Sequence, residues 1–273
     1  MTFDWQEFLS FTFGWRDALW QALLITITMA VLAQGLGVLL GLVAALAGRS
    51  RNRLVKLVSG IYVWFFRGTP VLVQIMLLYF GLPALMGGFD MFPRHYGMFP
   101  PLFGGAFVAA TLALGVNEGA YMSEIIRAGI LSVDPGQAEA AKSLGMNPRK
   151  TMSRIVLPQA LRVIVPPLGN EFNNMLKTTS LASVIGVVEL LLLAEMRYGT
   201  TLRPFEPLLG ICVWYLFFTS IWAVIQSRIE KRLGAGMARN EPERGLWARV
   251  RGSRRPPMPV SSAVVVRSAE GMR

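Results

Sequence analysis

Long apolar stretches alternate with short polar segments along most of the chain. Several of these stretches meet the requirement of a bilayer-spanning helix, about 20 mostly apolar residues. They cover approximately residues 19–47, 57–82, 102–130, 157–193 and 207–229. The pattern predicts an all-α integral membrane protein with five transmembrane helices.

Two of these stretches contain residues that disfavour a straight helix. The second includes "RGTP" at residues 67–70, which we expect to kink or break it. The fourth includes Pro166-Pro167, followed by the polar run "NEFNNMLKTTS". Proline leaves backbone carbonyls without donors, which membrane helices tolerate where they line a pathway. We therefore predict breaks at both places.

Composition agrees with a membrane protein and narrows its class. Of the 273 residues, 53% are apolar, and the mean hydropathy is +0.47. The single cysteine, Cys212, excludes a disulfide framework within the chain and a cysteine-based zinc site, and we predict no metal site. The lone His95 is expected to be a solvated loop residue. A net charge of +11 fits Lys and Arg collected on the cytoplasmic side better than it fits a nucleic-acid partner.

Charge placement predicts the orientation. The side with the tail from residue 228 onward is basic, with 11 Lys and Arg against 4 acids in that tail alone. The opposite side holds 4 Lys and Arg against 6 acids. Because positive loops stay in the cytoplasm, the N-terminus is predicted outside and the C-terminus inside. The predicted regions are an extracytoplasmic segment 1–18, a membrane domain 19–233 and a basic, disordered cytoplasmic tail 234–273, which touches anionic lipid headgroups.

A cytoplasmic segment at about residues 134–158 is polar, basic and helix-forming. The Asp-Pro pair at 134–135 is a helix start signal, and Gly145 is a usual stop. The Asn-Pro pair at 147–148 starts a second short helix, predicted to end near residue 155. These signals predict two short helices between membrane spans.

One face of the first short helix is apolar. Ala140, Ala141 and Leu144 recur at helical spacing, so this face requires burial. A helix this short needs a partner for that, which is either the rest of the chain or another protein. A surface helix lying at the lipid interface is the alternative.

The same segment resembles the EAA motif of ABC importer permeases. The matching spacing is Glu139-Ala140-Ala141, three residues, Gly145, nine residues, Ile155, one residue, Leu157-Pro158. Around it, "GAYMSEIIRAGI", "RGTPVLVQ" and "LKTTSLASVIGVVEL" resemble the branch that takes up polar amino acids of the histidine, glutamine and arginine type. The resemblance covers about residues 19–233.

The resemblance implies a type I permease bundle in a bacterial inner membrane. It implies a second permease, identical or similar, two cytoplasmic ATPase subunits, and an extracytoplasmic solute-binding protein that delivers an amino acid. In this family the segment is a coupling helix that docks in a groove of the ATPase. The residues implied at that contact are Glu139, Ala140, Ala141, Leu144 and Gly145.

Nothing in the sequence indicates an enzyme. There is no G-x-x-x-x-G-K-[ST] phosphate loop, and a Ser/His/acid arrangement has only one histidine to draw on. We therefore expect no catalytic residue and no cofactor in this chain, with ATP and Mg bound by the partner ATPase.

Polar residues at membrane depth are the candidates for the substrate pathway, since a charge there costs about 2.5–3.5 kcal/mol. The candidates are Asn117, Glu118, Glu171, Asn174, Lys177, Thr178, Thr179 and Ser180. In the alternative, Glu118 or Glu171 pairs with Lys177 and sets the register of two helices. Glu124 and Arg127 are expected to bind each other or the coupling region.

Arg67 and Pro70 have two interpretations, as a gate or as the anchor of a helix break. Two other classes of protein also place polar groups in spans. An ion channel does not explain the EAA-spaced loop, and a membrane-embedded enzyme requires clustered acids or histidines at the bilayer surface.

Overall fold

The computed structural model describes residues 3–14, 16–93 and 103–234, where all regular secondary structure is helical. The helices are α1 (Trp5–Leu9), α2 (Arg16–Gly48), α3 (Arg53–Gly68), α4 (Val71–Met76), α5 (Leu82–Leu85), α6 (Gly105–Leu131), α7 (Pro135–Ser143), α8 (Pro148–Thr151), α9 (Leu157–Thr178), α10 (Leu190–Thr201) and α11 (Phe205–Gly234). His95 and the basic tail beyond Gly234 lie outside the described residues.

Helices α2 and α6 form the centre of the fold. Small residues let their backbones approach closely, as is common in membrane helices. A Cβ atom on Gly37 would overlap the side chain of Glu118, and one on Gly41 would lie 2.9 Å from the backbone of Met122. Around this contact the largest core cluster includes the fully buried Met29.

The predicted break at "RGTP" is present. Helix α3 ends at Gly68, and α4 begins at Val71 after the extended Pro70. The two helical segments Arg53–Gly68 and Val71–Leu85 are bent by 107°. Pro70 has no N–H for a helical bond, so it stands at the start of the new helix, where that donor is not needed.

The predicted break at Pro166-Pro167 is wrong. Both prolines lie inside the unbroken α9. Side chains of α11 brace the helix there: Trp222 Nε1 donates to the Gly169 carbonyl (2.7 Å) and Gln226 Nε2 to the Pro166 carbonyl (3.2 Å). The bend, of 50°, lies instead near Gly186, whose φ of +85° is in the left-handed region.

The second short helix does not end near residue 155 as predicted. Helix α8 passes through a π-helical turn, Met152–Val156, directly into α9. Val156 packs with Ile130 at the end of α6 in a buried cluster, so the chain continues as one helix into the bundle.

Two described helical segments, Asp17–Gly48 and Phe205–Leu233, are long and apolar enough to cross a membrane. Each of the two bent pairs adds one more span if it is counted as a unit. Helix α6 is long enough, at 27 residues. Its most apolar stretch of membrane length is less apolar than that of either segment, because its second half contains several polar and charged residues.

The N-terminal segment is tied to α10 and α11. The Glu7 carboxylate accepts two bonds from the Arg197 guanidinium (2.7 and 2.8 Å), and Asp4 accepts one from Arg203 (3.0 Å). Trp214 Nε1 also donates to the Thr12 carbonyl (3.0 Å). Bidentate Arg–carboxylate pairs fix orientation as well as contact, so α1 and α10 are positioned together.

Candidate functional site: an exposed short helix and two sets of polar side chains

Both ends of α7 are capped by the residues that the sequence indicated. Asp134 Oδ1 accepts the N–H of Gly136 (2.8 Å) at the start. At the end, Gly145 has a φ of +77° and donates to the Lys142 carbonyl (2.9 Å), while Met146 donates to Ala141 (3.0 Å). Glycine adopts this left-handed conformation without strain, which explains its use at a helix end.

The apolar face of α7 is divided. Ala141 is 4% exposed and faces the rest of the chain, whereas Ala140 is exposed and Leu144 is 83% exposed. Of the three residues for which the sequence predicted burial, the described chain therefore covers only Ala141, and burial of the other two by another protein stays a prediction. Ala140 and Leu144, four residues apart, form a small apolar patch that the described part of the chain leaves uncovered.

Helix α8 follows a four-residue turn, 144–147, and is capped by the last of these residues, Asn147, whose Oδ1 accepts the N–H of Lys150 (2.8 Å). Thr151 is buried at its end, and the helix then continues into α9. The exposed patch on α7 is therefore connected to α9 through one short turn and an unbroken helical segment.

Asn117 lies at the bend between α3 and α4. Its Nδ2 donates to the Phe66 carbonyl (2.8 Å) and to Gln74 Oε1 (3.0 Å). Gln74 Nε2 also donates to the carbonyls of Phe66 and Thr69, both at 3.1 Å. These two amides supply donors to carbonyls at the break, so Asn117 has a structural role in this chain.

Glu118 is 6% exposed and points toward α2. Its Oε1 accepts a bond from Gln34 Nε2 (3.2 Å), and it lies directly over Gly37. The expected pair with Lys177 is not formed by Glu118 or by Glu171, since none of the ion pairs among the described residues includes Lys177. The hydrogen-bond partner of Glu118 is the neutral amide of Gln34, not a cation.

The polar residues of α9 and of the helical turn that follows it, Thr179–Ile185, differ in exposure. The exposed side chains are Asn170, Asn174 and Lys177, and the half-buried ones are Glu171, Thr178 and Ser180. Thr179 is fully buried, and its hydroxyl donates to the Leu176 carbonyl (2.9 Å). The three exposed residues recur at helical spacing and form a polar stripe on the outside of the single chain.

Arg67 is exposed at the end of α3, with its guanidinium 5.4 Å above the ring of Tyr121. One turn further along α6, Arg127 bonds Glu124 at 2.6 and 3.2 Å, as expected. Pro70 is the residue before the first turn of α4, and its carbonyl accepts the N–H of Gln74 (3.2 Å).

Sequence reasoning missed two glutamines at the site. Gln34 donates a hydrogen bond to Glu118, and Gln74 accepts one from Asn117. Both are polar amides inside apolar runs, "MAVLAQGLG" and "VLVQIM". A buried polar group requires a hydrogen-bond partner. A glutamine inside an apolar run could therefore have predicted a polar contact between helices.

Comparison with models of known families identifies the family of the chain. The model for the binding-protein-dependent transport system inner membrane component matches residues 37–235. The chain belongs to this family of ABC importer permeases. Permeases of the family carry no ATPase site, and hydrolysis takes place on a separate subunit.

Relatives and solved structures agree with this membership. An arginine transport system permease of Corynebacterium glutamicum is 40% identical over 90% of this permease and 77% of its own length. An L-cystine transport system permease of Bacillus subtilis is 39% identical over 78% of this permease and 86% of its own length. In the crystal structure of an amino acid ABC transporter with histidines, one chain is 39% identical with a TM-score of 0.73, over 85% of the permease and all of that chain.

Proposed function

We propose that this permease carries a polar amino acid across the inner membrane of a bacterium, driven by ATP hydrolysis on partner subunits. The observation that carries this proposal is the uncovered patch of Ala140 and Leu144 at α7, which one short turn connects to the helical segment that carries the polar stripe of α9. The amino-acid relatives support the substrate class.

In this proposal α7 is the coupling helix, and it docks in a cleft of the cytoplasmic ATPase. The small Ala140 allows close approach, and Leu144 is an apolar anchor of the kind used in helix-in-groove recognition. Glu139, also exposed, supplies a charge at the rim. ATP and Mg are bound by the ATPase, and this chain binds no cofactor.

The exposed stripe of α9 supports a pathway and a second permease beside this helix. Asn174 and Lys177 would be costly in lipid, so water or another protein surface must cover them. A second permease, identical or similar, facing this stripe encloses a polar route between the two chains. Glu171, Thr178 and Ser180 flank that route, and a solute-binding protein delivers the amino acid from outside.

The five-helix arrangement and its orientation are part of the proposal. The spans are α2, the α3–α5 pair, α6, the α8–α10 pair and α11, with α7 in the cytoplasm. This order places the N-terminus outside and the C-terminus inside.

Docking of α7 is tested with Leu144→Asp. A buried carboxylate without a partner is strongly unfavourable, so we expect loss of ATPase co-purification and of transport in proteoliposomes. Ser143→Asp, at the neighbouring exposed position, introduces the same charge on another face and should retain both. Equal recovery of the ATPase and unchanged transport with Leu144→Asp would remove α7 from the coupling contact.

The orientation is tested with fusions of a reporter that is active only outside the cytoplasm. We expect activity after Gly88 or Gly199 and silence after Asn52, Lys142 or Arg239. A strong signal after Lys142 would place α7 outside and contradict both the orientation and the docking.

A further inference from the structure

A groove of about 580 Å³ lies between α2, α3 and α6, on the side of the chain where α2 ends and α3 begins. Its polar and aromatic lining includes Arg49, Lys56, Trp64, Arg67, Glu124 and Arg127. Of the residues that line this groove, only Arg67 was a candidate for the substrate pathway, as a gate. None of them belongs to the proposed contact with the ATPase.

The groove is strongly positive. The carboxylate of Glu124 bonds Arg127 (2.6 Å), so this pair is close to neutral. Arg49, Lys56 and Arg67 have no carboxylate partner among the residues that the structure describes. Three unpaired cations around one cavity attract an anion.

An apolar surface continues from the groove along α3. A neighbouring groove of about 500 Å³ shares Lys56, Gly60 and Trp64 with the first and adds Leu57 and Ile61. The side chain of Trp64 is 74% exposed, and those of Leu57 and Ile61 are 59% and 53% exposed. A small soluble anion would make no favourable contact with this apolar surface, whereas a lipid acyl chain would pack against it. Tryptophan is also typical of the membrane–water interface.

We propose that this groove binds an anionic phospholipid, with the phosphate headgroup between Arg49 and Lys56 and an acyl chain along Leu57, Ile61 and Trp64. Basic pockets between membrane helices recognise such headgroups through charge. The site tethers the start of α3 to the lipid surface, independently of which amino acid is transported.

The test measures the lipid that stays with the full-length permease. Protein equilibrated with equal amounts of phosphatidylglycerol and phosphatidylcholine is purified in detergent, and retained lipid is counted by native mass spectrometry. We expect wild type to retain mainly phosphatidylglycerol. Arg49→Gln/Lys56→Gln should lower that retention by about tenfold, from the loss of two cations near the membrane surface.

The matched control is Arg51→Gln/Arg162→Gln, which removes the same charge from two exposed residues that do not line the groove. It should retain phosphatidylglycerol as wild type does. Equal retention by the two double variants would overturn the proposal. Displacement of the lipid by millimolar inorganic phosphate would indicate a free-anion site and would also overturn it.

A second copy of the chain is the other occupant to exclude. Gly60 has open space where a side chain would project, so Gly60→Cys fits without disturbing the helix. In a Cys212→Ser background we expect no disulfide between copies under oxidation. Efficient disulfide formation would place a partner permease over α3 and overturn the lipid assignment.

Discussion

The polar residues of α6 and those of α9 were expected to serve the same purpose, yet their surroundings differ. Asn117 and Glu118 of α6 are turned into the chain, where amides from α2 and α4 bond them. Asn174 and Lys177 of α9 are exposed on the single chain. A polar group at membrane depth therefore does not identify a pathway by itself. Its environment decides whether it fixes helices or meets solvent and substrate.

The difference follows from the neighbours of each helix. Helix α6 is central and packs against α2, α3, α4 and α9, so its polar side chains find protein partners. The side of α9 that carries Asn174 and Lys177 has no covering neighbour within residues 3–14, 16–93 and 103–234. We therefore propose that the polar residues of α6 position helices and that those of α9 serve translocation, and three experiments test this difference.

The largest expected effect comes from the close contact of α6 with α2. Gly41→Leu would place side-chain atoms inside the backbone of Met122 and Ser123. Overpacking of this kind costs about 3 kcal/mol, so we expect little folded permease, measured as the monodisperse fraction in detergent. Gly35→Leu, where nothing lies within 4 Å, is the control. Comparable yields of the two variants would show that α2 and α6 are not packed as described.

A smaller effect is expected where the two helices carry the same residue type. Asn117→Leu removes donors from the bend at Phe66 and should lower the free energy of unfolding by about 2 kcal/mol. Asn174→Leu should leave thermal unfolding unchanged and reduce transport by the assembled complex. If Asn174→Leu is the variant that unfolds, the assignment of the two helices is reversed.

The smallest effect is expected for Glu118→Gln. The sequence suggested that an ionised Glu118 favours a cationic substrate, so its removal would lower uptake of arginine more than of glutamine. Burial against Gln34 favours the helix-packing alternative instead, and we now expect equal changes for both amino acids, below about twofold. The new amide can donate to Gln34 Oε1, a buried oxygen without a partner. Competition between the two amino acids in proteoliposomes measures this, and a selective loss for arginine would restore the pathway role.

Local signals were predictable from the sequence. Asp134 and Asn147 cap their helices, Gly145 takes a left-handed conformation, and "RGTP" breaks the second apolar stretch. Each depends only on a few neighbouring residues and on backbone sterics. Short-range rules therefore identified α7, α8 and the first bend.

Features that depend on distant partners were not predictable. The continuity of α9 across its two prolines involves Trp222 and Gln226, more than 50 residues away. The inward direction of Glu118 depends on Gln34, at a separation of 84 residues. A single sequence shows the polar residues but not which neighbour reaches them, so the division between α6 and α9 required the structure.

In the proposed coupling, the unbroken helix from Pro148 to Thr178 is a lever arm between the cytoplasm and the membrane. Its 31 residues, at a rise of 1.5 Å each, give a length of about 45 Å. A tilt of about 10° around one end moves the other by roughly 8 Å, more than one helical turn. Had Pro166 and Pro167 broken it, a displacement at α7 would have been absorbed at the joint. If α7 docks on the ATPase as proposed, the unbroken helix would convert a small rotation there into a large movement of Asn174 and Lys177.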